Sequence, residues 1–238
     1  MIKWIAIPLL LILACSNAPA PKKMESSIVL KPDSIIPIEA LYKQLNDSVK
    51  LVRKDWQARQ KKGVNEQMLK AEAVTVFTEL IYESYFKFWN GTPWEFYGTT
   101  RIPQKGAIAC GYFVTTVLED MSVTINRIEM AKTYSEKMIK TLVQPENIKK
   151  YSPFNLTEFV TELRKRKDGV YLAGLDNHTG FIVVKNHEVY FIHSSVISPG
   201  CVVREKALES VALQINRYTV LGCLTEDSGF MKRWMYSH

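Results

Sequence analysis

Between Ile36 and Lys62 apolar residues recur mostly every three to four positions, at Ile36, Leu41, Leu45, Val49, Leu51, Val52 and Trp56. That spacing puts them on one face of a helix beginning near Pro37 and ended by Gly63. Asn65 then stands where an N-cap belongs, and Met68, Ala71, Val74, Phe77, Leu80, Ile81, Tyr85 and Phe88 predict a second long helix. Asn90-Gly91-Thr92-Pro93 is a strong turn signal. From Trp94 to Gly106 the chain reads as loop, and at Cys110 it enters an apolar run, Cys110 to Leu118, with helical character. Glu129 to Leu142 predicts one further helix closed by Pro145, and Leu156 to Lys165 a short one capped by Asn155.

After residue 168 the periodicity changes. Val170 to Leu175, His178 to Val184 and Glu188 to His193 are β-rich segments, with Asn186-His187 placed as a hairpin turn. Arg217 to Leu224 predicts one more strand and Asp227 to Tyr236 a last helix. Helices first and antiparallel strands later predict an α+β fold rather than alternating α/β.

The N-terminus changes the picture of where this chain works. Lys3 precedes an apolar run, Trp4 to Leu13, shorter than the roughly 20 residues a spanning helix needs. It fits the apolar region of a signal peptide. Leu11-Ile12-Leu13-Ala14-Cys15 resembles the lipobox of bacterial lipoproteins. The resemblance implies cleavage before Cys15, acylation of Cys15, and attachment to a membrane of the cell envelope through that lipid. Ser16 to Ser27 is small, polar and Pro-containing, as a tether would be. The expected organisation is a signal peptide over 1–14, lipidated cysteine and tether over 15–35, a helical region over 36–89 and a hydrolase domain over 90–238.

The net charge is +7, and +6 once Lys3 leaves with the signal. Its two local runs, Arg59-Gln60-Lys61-Lys62 and Arg164-Lys165-Arg166-Lys167, read first as solvated helix ends. An extracytoplasmic address argues against nucleic acid as partner and favours wall polymer or the membrane. With Cys15 committed to lipid, Cys110, Cys201 and Cys223 remain. Cys201 and Cys223 have the option of pairing, which leaves Cys110 as the odd thiol.

Three residues carry candidate chemistry: Cys110 at a loop-to-helix junction, His178 at the start of a strand, and His193 at the end of the next. A helix N-terminus favours a thiolate. An imidazole takes the thiol proton and later gives it to a leaving amine. A third polar group orients that imidazole through its other nitrogen. If Asn186-His187 is the turn, the two histidines are neighbours across the ladder. His187 itself reads as exposed, Asp176-Asn177 as turn formers, and Glu119 and Asp120 as solvent-facing. Cysteine and histidine are also zinc ligands, but there is no CxxC, no HExxH and no short-spaced ligand pair, so neither a metal nor another cofactor is expected.

The segments Gly91-Thr92-Pro93-Trp94, Cys110-Gly111-Tyr112-Phe113-Val114, His178-Thr179-Gly180-Phe181-Ile182 and Phe191-Ile192-His193-Ser194 together resemble the NlpC-type cysteine peptidases of bacterial cell walls. The resemblance spans residues 90–195. It implies a papain-like α+β core, with a Cys-bearing helix packed on an antiparallel sheet. The implied activity is hydrolysis of amide bonds in peptidoglycan stem peptides. Carried over, Cys110 is the nucleophile, His178 the base and acid, and His193 the orienter. Trp94 aligns with the family's loop tyrosine near the oxyanion site, and Tyr97 is its nearby substitute. Where the family has Asp-Cys-Ser, this chain has Ala109-Cys110-Gly111, which implies a different grip on substrate. Two other classes remain open: a catalytically silent papain-like module that binds wall peptide or a partner protein, and a structural lipoprotein whose N-terminal helices bind a partner.

Overall fold

A computed structural model describes residues 36–237. The expected signal peptide, the lipidated Cys15 and the tether lie outside the described residues.

α1 (Ile38–Lys61) starts directly after Pro37, whose carbonyl accepts from the amides of Ala40 and Leu41. α2 (Glu66–Glu79) is capped as its sequence predicts: the Asn65 side chain accepts from the amides of Gln67 and Met68 at 2.8 and 3.3 Å. It does not continue uniformly to Phe88. Leu80–Tyr85 widens into π-helical turns before α3 (Phe86–Trp89). Wider turns leave carbonyls for other donors. Arg204 donates to the Tyr82 carbonyl and lays its guanidinium 4.1 Å above the Tyr82 ring.

α4 (Cys110–Asp120) follows the long loop. The single helix expected over residues 129–142 is instead α5 (Arg127–Ala131) and α6 (Ser135–Leu142), separated at Lys132–Tyr134. The break has a local cause. Thr133 bonds back to the Met130 carbonyl through both its amide and its hydroxyl, closing a turn that ends α5. β1 (Ile148–Tyr151), α7 (Leu156–Leu163), β2 (Gly169–Gly174), β3 (Thr179–Lys185), β4 (Glu188–Ser194), β5 (Val202–Lys206), α8 (Val211–Gln214), β6 (Thr219–Cys223) and α9 (Ser228–Tyr236) complete the described chain.

The molecule is α+β. The described residues form one sheet, with strand order β1-β6-β2-β3-β4-β5 and every neighbouring pair antiparallel. Asn186 and His187 both take positive φ, 50° and 61°, as a two-residue hairpin turn between right-twisted strands requires. Strand alternation sorts side chains to two covered faces. Val170, Leu172, Phe181, Val183 and Ile192 point into the larger core with α1, α2, α4, α6 and α9. Tyr171, Ala173, Ile182, Val184 and Phe191 pack with Phe159, Val160 and Leu163 of α7. Cover on both faces explains why β2 and β3 read as nearly unbroken apolar runs. The helices before residue 90 belong to the larger core, through Trp56, Leu69 and Phe77.

Trp234 is fully buried in that core. It lies edge-on to Trp56 and Phe77, with centroids at 5.3 and 4.8 Å, and donates from Nε1 to the Met121 carbonyl at 2.8 Å. Trp234→Ala is expected to cost about 3–5 kcal/mol of unfolding free energy. A urea midpoint lowered with unchanged slope would show it.

Two further readings of the sequence are corrected. Asp120 does not face solvent: it accepts a 2.6 Å bond from the hydroxyl of buried Tyr42, and burial raises its pKa. Cys201 and Cys223 are free thiols. Cys223 ends β6, and Cys201 precedes β5 four strand positions away, roughly 19 Å at about 4.8 Å per strand. A disulfide spans Cα atoms no more than about 7 Å apart.

Candidate active site

The site lies where the start of α4 meets the N-terminal end of β3. A cleft of about 270 Å³ there is lined by Cys110, Gly111, Tyr134, Ser135, Asp176, Asn177, His178 and Thr179, among others. The loop before Cys110 is held from several sides. Ile108 donates to the Pro93 carbonyl and Ala109 to that of Gly98, both at 2.9 Å. The Ile108 carbonyl accepts a 2.6 Å bond from buried Ser194, the residue after His193. Arg127, itself buried, donates from Nε to Thr116 on α4 at 2.7 Å and from its other end to the Thr99 and Thr100 carbonyls. Cys110 is thereby fixed relative to β4 and α5.

Gly111, next to Cys110, is required by packing. A Cβ there would lie 2.6 Å from the Ala131 carbonyl oxygen, where the end of α5 butts against the start of α4. No side chain fits without moving α5. Gly111→Ser is therefore expected to cost about 1–3 kcal/mol, read as a lowered thermal midpoint. An unchanged midpoint would mean that α5 yields freely.

The histidines meet. His178 Nε2 is 2.7 Å from His193 Nδ1, and His193 Nε2 is 2.9 Å from the Glu205 carboxylate on β5. His193 is fully buried and stacks on Phe191 with ring centroids 4.1 Å apart and planes 16° from parallel. Gly180 makes room for it: a Cβ at 180 would fall 2.7 Å from both His193 Cβ and the Phe191 ring. The glycine in His178-Thr179-Gly180 is thus a packing requirement of the second histidine.

The electrostatics differ from the expectation of a ready thiolate. Burial pushes the Cys110 thiol up, outweighing the backbone amides of Thr179, Gly111 and Cys110 itself, which pull the other way. Burial, reinforced by the charge on His193, pushes His178 down to about 3. Burial also lowers His193, against the raising pull of Glu205. At neutral pH the resting site is a neutral thiol beside a neutral imidazole. No hydrogen bond joins Cys110 to the His178 ring among the described residues; the two share the walls of one cleft.

No protein-family model, no curated protein and no solved structure matches this chain. The chemistry of the site therefore rests on its own residues.

Of the residues singled out from sequence, Cys110, His178 and His193 converge. Trp94 and Tyr97 do not line the cleft. Trp94 is half-buried, with its amide bonded to the Gly200 carbonyl, and Tyr97 is 87% exposed against Phe96. His187 is exposed and faces the Arg164 carbonyl. Asp176 and Asn177 do form a turn, Asp176 accepting from the Arg217 amide, and they line the cleft as well. Tyr134, Ser135 and Glu205 had no signal in sequence. The first two enter only through the break between α5 and α6. Glu205 sits in a strand disguised by three consecutive charges, Arg204-Glu205-Lys206.

On the far side of the Leu175–His178 turn lies a separate, smaller recess lined also by Val196, Ile197, Ala212 and Ile215. A larger hollow of about 400 Å³ between Met130 and Trp234 holds neither Cys110 nor His178. Among the described residues no three His, Cys, Asp or Glu side chains are grouped to hold a metal ion.

Proposed function

We propose that this protein is a lipid-anchored cysteine hydrolase of the cell envelope, with a papain-like, NlpC-type core, cleaving amide bonds of peptidoglycan stem peptides. The observation that carries the reading is one cleft holding Cys110 at a helix start and His178 backed at 2.7 Å by His193. The anchor rests on the lipobox-like residues ending in Cys15.

Because thiol and imidazole both rest neutral, proton transfer accompanies attack instead of preceding it. Cys110 Sγ adds to the substrate carbonyl carbon as its proton passes to His178 Nδ1. The oxyanion faces the free amides at the start of α4, including that of Cys110. Collapse breaks the C–N bond, and His178 returns the proton to the leaving amine. Water then attacks the thioester, His178 taking and returning its proton, and the thiol is restored. Another amine in place of water would give acyl transfer by the same steps. Ala109 and Gly111 leave the cleft without the acid and hydroxyl that the resembled family carries beside its nucleophile. Asp176 is the carboxylate that lines it instead.

The test is incubation of the full chain, in detergent, with purified muropeptides, followed by mass spectrometry. Wild type is expected to release fragments with new amino termini, and Cys110→Ser none. An intact substrate pool together with an iodoacetamide-inert Cys110 would sink the hydrolase reading. The raised thiol pKa favours one alternative, a catalytically silent module that binds wall peptide or a partner protein. That alternative expects saturable binding without turnover.

A further inference from the structure

We infer that Glu205 is a positioning residue which, through His193, fixes the tautomer of His178 and so leaves Nδ1 of His178 as the free base. The inference rests on the Cys110–His178 reading above for its consequence, but its evidence is the hydrogen-bond chain itself.

A neutral imidazole carries one donor and one acceptor nitrogen. Glu205 is acceptor-only when ionised. Burial raises its pKa, but the hydrogen-bonding pull of His193 and Ser210, with the charge interaction of His193 added, together outweighs this and holds the carboxyl below its ordinary range. The proton in the 2.9 Å contact with Glu205 therefore belongs to His193 Nε2. A neutral His193 then has a bare Nδ1, which accepts at 2.7 Å, so the proton of that bond sits on His178 Nε2. A neutral His178 is left with a lone pair on Nδ1, its remaining ring nitrogen. One carboxylate on β5 thereby sets the state of a nitrogen two rings away.

The sheet makes this arrangement possible. β5 pairs with β4 so that Val203 stands opposite His193 and Glu205 opposite Phe191. Glu205 is thus the diagonal neighbour of His193 on the same face, within reach of a long side chain. Stacking on Phe191 and the absence of a side chain at Gly180 keep the His193 ring in the line between the two.

Without the carboxylate the preference reverses. His193 with Nε2–H would bury an unpaired donor, whereas His193 with Nδ1–H keeps the bond to His178 and buries none. That second arrangement forces the His178 proton onto Nδ1, where it blocks base catalysis. An unsatisfied buried donor is costly enough to shift such an equilibrium by roughly 10- to 100-fold.

The experiment is ¹⁵N spectroscopy of histidine-labelled full chain near pH 7, with resonances assigned through His178→Ala and His193→Ala. In wild type both rings are expected to carry their proton on Nε2. In Glu205→Leu both are expected to carry it on Nδ1, with Cys110 alkylation slowed by about 10- to 100-fold. Glu205→Gln, whose amide both donates and accepts, is expected to give a mixture of the two and guards against misfolding of the leucine variant. Unchanged Nε2 protonation in both variants would overturn the inference. The tautomer readout needs no substrate, so its outcome stands apart from whether any amide bond is cleaved.

Discussion

His178→Ala is expected to slow acylation of Cys110 by roughly 100- to 10,000-fold, the usual worth of a positioned proton acceptor. The resting thiol is neutral because burial holds its proton on. Attack without a base must therefore pay to expose a thiolate in a cleft poorly suited to it. His178 lines the same cleft and, at a pKa of about 3, keeps its lone pair at every ordinary pH. A base of such low proton affinity is a weak acceptor in its resting environment. The two groups behind it offset this as the proton arrives: His193 at 2.7 Å shares the new charge, and Glu205 at 2.9 Å from His193 opposes it. The check is the burst rate with an activated acyl ester, for wild type and His178→Ala, with free imidazole added to the variant. Partial rescue by imidazole would assign the loss to the missing base. A variant with the wild-type rate would remove His178 from the mechanism.

The same depressed histidine predicts a large loss of stability in acid. The ordinary pKa of His178 is 6.5 and its folded value about 3. Between those values the unfolded chain binds a proton that the folded chain refuses, so unfolding becomes easier as pH falls. The contribution is fully present above pH 6.5, declines through the window, and is gone below pH 3. At about 1.4 kcal/mol per pKa unit it amounts to at most about 5 kcal/mol, of which roughly 3 has been lost by pH 4. His193 acts in the same direction, since burial lowers it too. Chemical unfolding of wild type and His178→Phe at pH 7 and pH 4 checks this. Wild type is expected to lose clearly more stability than the variant between the two pH values. Equal losses would mean that His178 takes up its proton in the folded state at an ordinary pH.

Much of the framework is legible in the chain because local physics writes it there. Asn65, Asn155 and Asp227 each cap the helix that the sequence places after them. Asn186-His187 turns the hairpin, and with that turn in place two histidines fifteen residues apart must approach across β3 and β4. Spacing and turn chemistry sufficed for the α+β class, for strands β2, β3, β4 and β6, and for placing His178 beside His193.

Other features depend on neighbours distant in sequence. β1 and β5 are edge strands, and their lysines, arginine and glutamate, useful against unwanted pairing, erase the apolar alternation by which a strand is read. Glu205 was hidden with β5. The loss of helix between Ala131 and Ser135 brings Tyr134 and Ser135 to the cleft, and Gly111 is demanded by an Ala131 carbonyl that only packing puts there. The protonation of the site is the clearest case. A cysteine at a helix start reads as a thiolate, because the amides are local and visible in sequence. Burial is not local: it is decided by everything that folds over the site, and here it outweighs the amides. The sequence by itself determined that His178 and His193 come together. The tertiary structure decided their charge, because desolvation depends on the whole surrounding volume, not on neighbours along the chain.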